Sequence, residues 1–115
     1  MNSNDEKIAT QILIQAGNAR KFVEESLNHI ATFEFDIARN DLEKARQEII
    51  AAHHAQTDLI TAEARGDHLE ISLLLTHAQD TLMIAMSQLQ IAKHLLSMFE
   101  KVFLILKNDG AGDLS

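Results

Sequence analysis

The chain has no cysteine, no proline, no tryptophan and no tyrosine, and only four glycines in 115 residues. Each absence removes a class of protein. Without cysteine there is no disulfide, no thiolate metal site and no cysteine nucleophile. Without proline, and with so little glycine, the many tight turns of an all-β fold have nothing to build them. Long helices are the default. Basic residues are also outnumbered: ten Lys and Arg against seventeen Asp and Glu give a formal net charge of -7, which repels nucleic-acid phosphates and anionic lipid. No apolar run approaches the ~20 residues needed to span a bilayer. The opening Met1-Asn2-Ser3-Asn4-Asp5-Glu6-Lys7 is polar and acidic, without the basic-then-apolar order of a secretory leader. These features predict a cytoplasmic protein with no nucleic-acid partner and no membrane insertion.

What is present is a hydrophobic content of 46%, enough for one domain with a moderate core. Its spacing predicts an all-α fold of three helices. The first runs from near Asp5 to about Ile30, with Ala9, Leu13, Ala16, Val23, Leu27 and Ile30 on one face. Gly17 interrupts it at a cost of roughly 1 kcal/mol relative to Ala, so it marks a close approach by another backbone or a ligand, or a tolerated glycine at a tight helix crossing. The second runs from about Phe35 to Ala64, with Phe35, Ala38, Leu42, Ala45, Ile49, Ala52 and Leu59 in alternating steps of three and four broken only by Gln56. That alternation is the seam of a left-handed bundle with short connections. The join between these helices, residues 31–34, offers only Thr32 as an N-cap. The next join is better marked, with Gly66 as a helix stop and Asp67 and Glu70 spaced as a capping box. The third helix runs from about His68 to Lys107. The small polar residues after it predict a disordered tail over 108–115, and residues 1–4 are expected to be flexible.

The third helix carries two apolar stripes. Ile71, Leu75, Ala78, Leu82, Ala85, Leu89, Ala92, Leu96, Phe99, Phe103 and Leu106 keep a heptad and should face the other helices. Leu73, Ile84, Ile91, Met98, Val102 and Ile105 lie on a second face, so this helix is buried twice, and self-association is the economical reason. His77 and Asp80 interrupt the second stripe, and Ser87 and His94 continue it as a partly polar line. A His and an Asp at i and i+3 suit joint metal ligation, or an imidazole that accepts a group beside a carboxylate with a separate electrostatic role. The pattern alone leaves both open, along with a structural, hydrogen-bonded histidine.

A longer stretch narrows the choice. Ser72 to Met83 reads SLLLTHAQDTLM and closely resembles the active-site segment of the lactose/cellobiose enzyme IIA proteins of the bacterial phosphoenolpyruvate-dependent sugar phosphotransferase system, whose pattern is close to SLLLVHAQDHLM. Ala16-Gly17-Asn18-Ala19-Arg20 is similar to that family's AGNAR or SGQAR element, and Ala52-His53-His54-Ala55-Gln56-Thr57 to its AHxAQT element. The resemblance covers about residues 5 to 107. It implies an antiparallel three-helix bundle assembling as a homotrimer, with the third helices lining the threefold axis. It implies a phosphotransferase component in which His77 accepts a phosphoryl group from the histidine phosphocarrier protein and passes it to enzyme IIB, during uptake of a β-linked disaccharide of the lactose, cellobiose or chitobiose class. The chemistry is reasonable, since a free imidazole titrates at about 6.5 and keeps a nucleophilic nitrogen at neutral pH.

Asp80 matches the family's aspartate, so the resemblance also implies one divalent ion per trimer on the axis, with magnesium suited to an all-oxygen site. Gln79, Thr81 and His53 are the expected supporting residues. Gln79 lies about 160° round the helix from His77 and would reach a neighbouring subunit or only pack. The chain departs from the family at Thr81, where a second histidine is usual and where the hydroxyl could still bond a phosphoryl oxygen. It departs again at Phe33, where the turn usually has Gly and where a tighter or more helical turn is expected. His54 is expected on a solvated face, and His29, His68 and His94 in structural or solvated roles. Two alternatives stand beside this reading: a trimeric interaction protein without transfer activity, and a helical bundle binding metal through His53, His77 and Asp80.

Overall fold

The computed structural model describes residues 3–66 and 73–113, and every regular element in them is helical: α1 (Ser3–Ala31), α2 (Phe35–Ala64) and α3 (Leu73–Asp113). Among the described residues there is no strand. The helices lie side by side in a rod of 71 × 21 × 17 Å. Cross-helix pairs fix their directions. Arg39 of α2 meets Glu100 of α3, and His53 of α2 meets Met86, so the α3 partner falls as the α2 position rises and the two run antiparallel. His29 and Asp41 face each other across the α1–α2 turn, which makes α1 antiparallel to α2 and parallel to α3.

The core is one continuous cluster built from one stripe of each helix. The α2 stripe is as its spacing predicts, with Ala38, Leu42, Ala45, Ile49, Ala52 and Leu59 buried and Ala55 added beside a half-buried Gln56. The α1 stripe is rotated from the expected one. Ile12, Ala19 and Ser26 are buried, whereas Leu13 is only half-buried and Leu27 is exposed. One alanine, Ala19, and a serine disguise this face: the Ser26 hydroxyl donates to the Val23 carbonyl at 2.7 Å and so enters the core already satisfied.

The helix ends also differ from expectation. α1 starts at Ser3, inside the segment expected to be flexible, and α3 is helical to Asp113 rather than stopping near Lys107, so the segment expected to be a disordered tail is helix through that residue. Extending an existing helix fixes one residue per added hydrogen bond, so glycine raises the cost of continuing without forbidding it. The capping box at Asp67 and Glu70 and the third helix's expected start at His68 lie outside the described residues. Gly66, just after α2, has φ 94°, the left-handed conformation expected of a helix-stopping glycine.

The α1–α2 turn is a Schellman closure. The Glu34 amide donates to the His29 carbonyl at 2.8 Å and the Phe33 amide to the Ile30 carbonyl at 3.0 Å. This closure needs a left-handed residue, and Phe33 supplies it at φ 62° where glycine would be unstrained. The Phe33 ring stacks at 5.5 Å from Phe103, and Phe35 completes the cluster. Thr32 is not the N-cap of α2. Its hydroxyl turns back to the His29 carbonyl at 3.2 Å, while the Glu34 carbonyl accepts from the Ala38 amide and opens α2. The aromatic cluster also marks where the bundle ends on α3. Phe99, Phe103 and Leu106, expected in the core, are exposed: Phe99 and Phe103 lie level with the α1–α2 turn, where Phe33 and Phe35 cover only part of Phe103, and Leu106 lies beyond it.

Candidate functional site

His77 and Asp80 sit one turn apart on the exposed face of α3, the side turned away from α1 and α2. Neither side chain has a hydrogen-bond or ion-pair partner among the described residues. Ile84, Ile91 and Met98 follow them along the same face, all exposed, with Ser87 and His94 between. This is the second stripe expected from the sequence, without a partner inside the subunit.

The other expected site residues are not gathered around His77. Thr81 is 7% exposed, and its hydroxyl donates to the His77 carbonyl at 2.8 Å. That bond uses the proton expected to serve a phosphoryl oxygen, and ties the residue to the backbone beneath the imidazole. Gln79 is half-buried on another side of the helix. His53 lies against Met86, with Nε2 3.1 Å from the sulfur, nine residues along α3 from His77 and so about 13 Å below it. His54 is exposed, as expected. Among the described residues no three His, Asp or Glu side chains stand close enough to hold a metal, and one subunit does not bring His53 together with His77 and Asp80.

The two outlying sequence elements meet each other instead. Arg20 of the first donates from Nε to Gln88 Oε1 at 3.2 Å, and His53 of the second touches Met86, so both lie at one height on the rod. Ala16, Ala19, Ala52, Ala55 and Ala85 line the core at that height, all buried. Alanine here is a packing requirement, since a larger side chain would force the helices apart. Gly17 lies outside this layer. A Cβ built on it would meet nothing within 4 Å, so neither a close backbone nor a tight crossing among the described residues accounts for it. It borders a groove of about 620 Å³ between α1 and α3, with Arg20, Leu27 and Ile91.

Two pairs had no signal in the sequence. His29 Nδ1 lies 2.6 Å from a buried Asp41 oxygen, which gives His29 the structural role expected of it through an unforeseen partner. Arg39 Nη2 bonds both Glu100 oxygens at 2.6 Å, and this carboxylate holds the guanidinium above its ordinary pKa by hydrogen bonding and charge. Both pairs join residues on different helices, which no local pattern announces.

The fold and the sequence have close relatives. Residues 7–100 match the family model described as the lactose/cellobiose-specific IIA subunit of the PTS system. The chain is 38% identical over 102 residues to the lichenan-specific phosphotransferase enzyme IIA component of Bacillus subtilis, covering 89% of this chain and 93% of that one. It is 37% identical over 91 residues to the lactose-specific EIIA component of Staphylococcus epidermidis, covering 79% and 88%. The crystal structure of the cellobiose-specific enzyme IIA from Bacillus anthracis superposes with a TM-score of 0.85 at 38% identity, over 90% of this chain and 95% of that one. A three-helix bundle with this match over most of its length, carrying His77 and Asp80 on the open face of its third helix, belongs to the lactose/cellobiose-specific IIA family of the sugar phosphotransferase system.

Proposed function

We propose that His77 carries a transient phosphoryl group between the histidine phosphocarrier protein and enzyme IIB. Membership of the family already supports a phosphocarrier role in sugar uptake. The observation behind the finer assignment is the free imidazole of His77, exposed and unbonded among the described residues on a partly polar face. In the first step an unprotonated ring nitrogen attacks phosphorus, the N–P bond to the donor histidine breaks, and the donor imidazole keeps the electron pair. In the second, a thiolate of enzyme IIB attacks the same phosphorus and His77 leaves as free imidazole. Both are displacements that need an exposed ring, and no helix among the described residues is long and apolar enough to cross a membrane. The sugar is a β-linked disaccharide or a related glucan fragment, a reading supported by the relatives named for lichenan, lactose and N,N'-diacetylchitobiose. The protein works in the cytoplasm.

The working form is a homotrimer whose α3 helices line the axis, which the unpartnered stripe supports. One subunit offers Asp80 alone, too few donors for a cation, whereas three Asp80 carboxylates meeting on the axis make an oxygen site suited to magnesium. The ion would offset the repulsion among those carboxylates; it takes no part in the transfer chemistry.

The test is incubation with phosphoenolpyruvate, enzyme I and the phosphocarrier protein, followed by intact mass. The wild type should gain one phosphate and His77→Ala none, at unchanged helicity. Phosphate gain by the variant at the wild-type rate would make another histidine the acceptor.

A further inference from the structure

His94 lies fourteen residues beyond Asp80, two full heptads, on the same exposed face of α3. Its ring has no partner among the described residues. Along this face Asp80, Ile84, Ser87, Ile91, His94 and Met98 alternate steps of four and three. Such an alternation, opposite a face already packed against α1 and α2, is the repeat of a helical seam, and in the threefold assembly proposed above, whose helices must run parallel, equal positions on each copy meet as a layer. Asp80, Ser87 and His94 share one heptad position. A heptad seam that brings Asp80 carboxylates to the axis therefore brings His94 imidazoles to it as well.

We propose that three His94 side chains, one from each copy, form a nitrogen metal site for a divalent transition ion of the zinc class, between the Ile91 and Met98 layers. The inference rests on the trimeric reading above. Three neutral imidazoles supply donors at the ~2.0–2.1 Å that zinc takes from histidine, with water in the fourth position of a tetrahedron. Ile91 and Met98 wall the layer with apolar side chains. Imidazoles enclosed there without a ligand or partner would leave polar nitrogens unsatisfied, which a cation corrects by taking a lone pair from each. The donor type keeps the two layers chemically distinct, because oxygen at Asp80 favours magnesium and nitrogen at His94 favours zinc, copper or nickel. They stand about 21 Å apart along the helix, too far to act as a two-metal centre. The His94 ion is thus a clasp on the assembly.

Cobalt(II) is a suitable probe, since tetrahedral cobalt absorbs visibly far more strongly than the hydrated ion. Cobalt would be titrated into the full chain while sedimentation of the same samples reports assembly. The expected result is a trimer whose visible absorption saturates at one cobalt for every three chains, is displaced by zinc, is lost in His94→Leu, and persists in Asp80→Asn and His77→Ala. His94→Leu keeps an apolar seam and should stay trimeric; His94→Gln serves as a second variant should the first fail to assemble. A wild-type trimer without saturable cobalt, or a signal that survives both His94 variants, overturns the metal site and leaves the trimer standing. A wild type that sediments as a monomer with and without cobalt overturns both readings.

Discussion

The two sides of α3 both carry apolar residues at helical spacing, the second with polar residues among them, yet only one side is covered. Leu75, Ala78, Leu82, Ala85, Leu89, Ala92 and Leu96 are buried against α1 and α2, whereas Ile84, Ile91, Met98, Val102 and Ile105 stand exposed. Full burial of such a side chain is worth about 1.5–3 kcal/mol, so the open side is a large unused stabilisation within one subunit. The comparison teaches a division of labour. One side specifies the fold of the chain, and the other, where His77 and Asp80 also lie, is left open for the assembly and the transfer proposed above.

The sharpest way to break that division is to remove one residue from each side. Leu82→Ala, at a position 1% exposed, should lower subunit stability by roughly 2–5 kcal/mol, read by urea unfolding. Ile91→Ala, at a position 57% exposed, should leave the unfolding of dilute subunit nearly unchanged and weaken assembly in sedimentation instead. Equal losses of subunit stability would show that the two sides are not separate.

Asp80 tests the polar part of the open side. In chelator, Asp80→Leu should raise the trimer's melting temperature by at least about 4 °C, the shift that 1 kcal/mol gives a domain of this size, because it removes like charges from a poorly solvated seam. It should also abolish the stabilisation that magnesium gives the wild type. A lower melting temperature in chelator would move Asp80 off the axis.

Smaller effects sharpen the comparison at its edges. At the aromatic turn, Phe33→Gly and Phe33→Ala both delete the ring, but only glycine relaxes the φ of 62°. Thermal unfolding should therefore find the Gly variant more stable than the Ala variant by about 1–2 kcal/mol. Smallest is Gly17→Ala. Its new methyl meets nothing within 4 Å, so subunit stability should rise by up to about 1 kcal/mol. If the same change weakens assembly in sedimentation, the groove at Gly17 belongs to the open side as well.

Much of this architecture is legible in the sequence, and the failures have physical causes. The α2 stripe is plain because its large residues mark every turn. The α1 stripe is not, because Ala19 and Ser26 bury without looking hydrophobic. The core stripe of α3 runs on through Phe99 and Phe103, level with the α1–α2 turn, to Leu106 beyond it, since periodicity along one helix carries no information about where its neighbours turn. The pairing of His77 with Asp80 is local, three residues on one helix, and so it is visible. The separation of His53 from His77 is not local. It depends on the α2–α3 register, which the His53–Met86 contact fixes. The left-handed Phe33 is likewise hidden, because the residue that normally reveals such a turn is glycine.

The overhang of α3 gives the molecule a sequence of folding events. The α1–α2 hairpin closes through a turn of three residues, so its contacts are local and can form early. Among the described residues the last turns of α3 have no companion. Their amides are held only by the helix itself, and they should exchange with solvent quickly in a lone subunit however stable the bundle above them is. In the assembly proposed above their protection would depend on protein concentration, which would make the free end of this helix a reporter of whether the chain has found its neighbours.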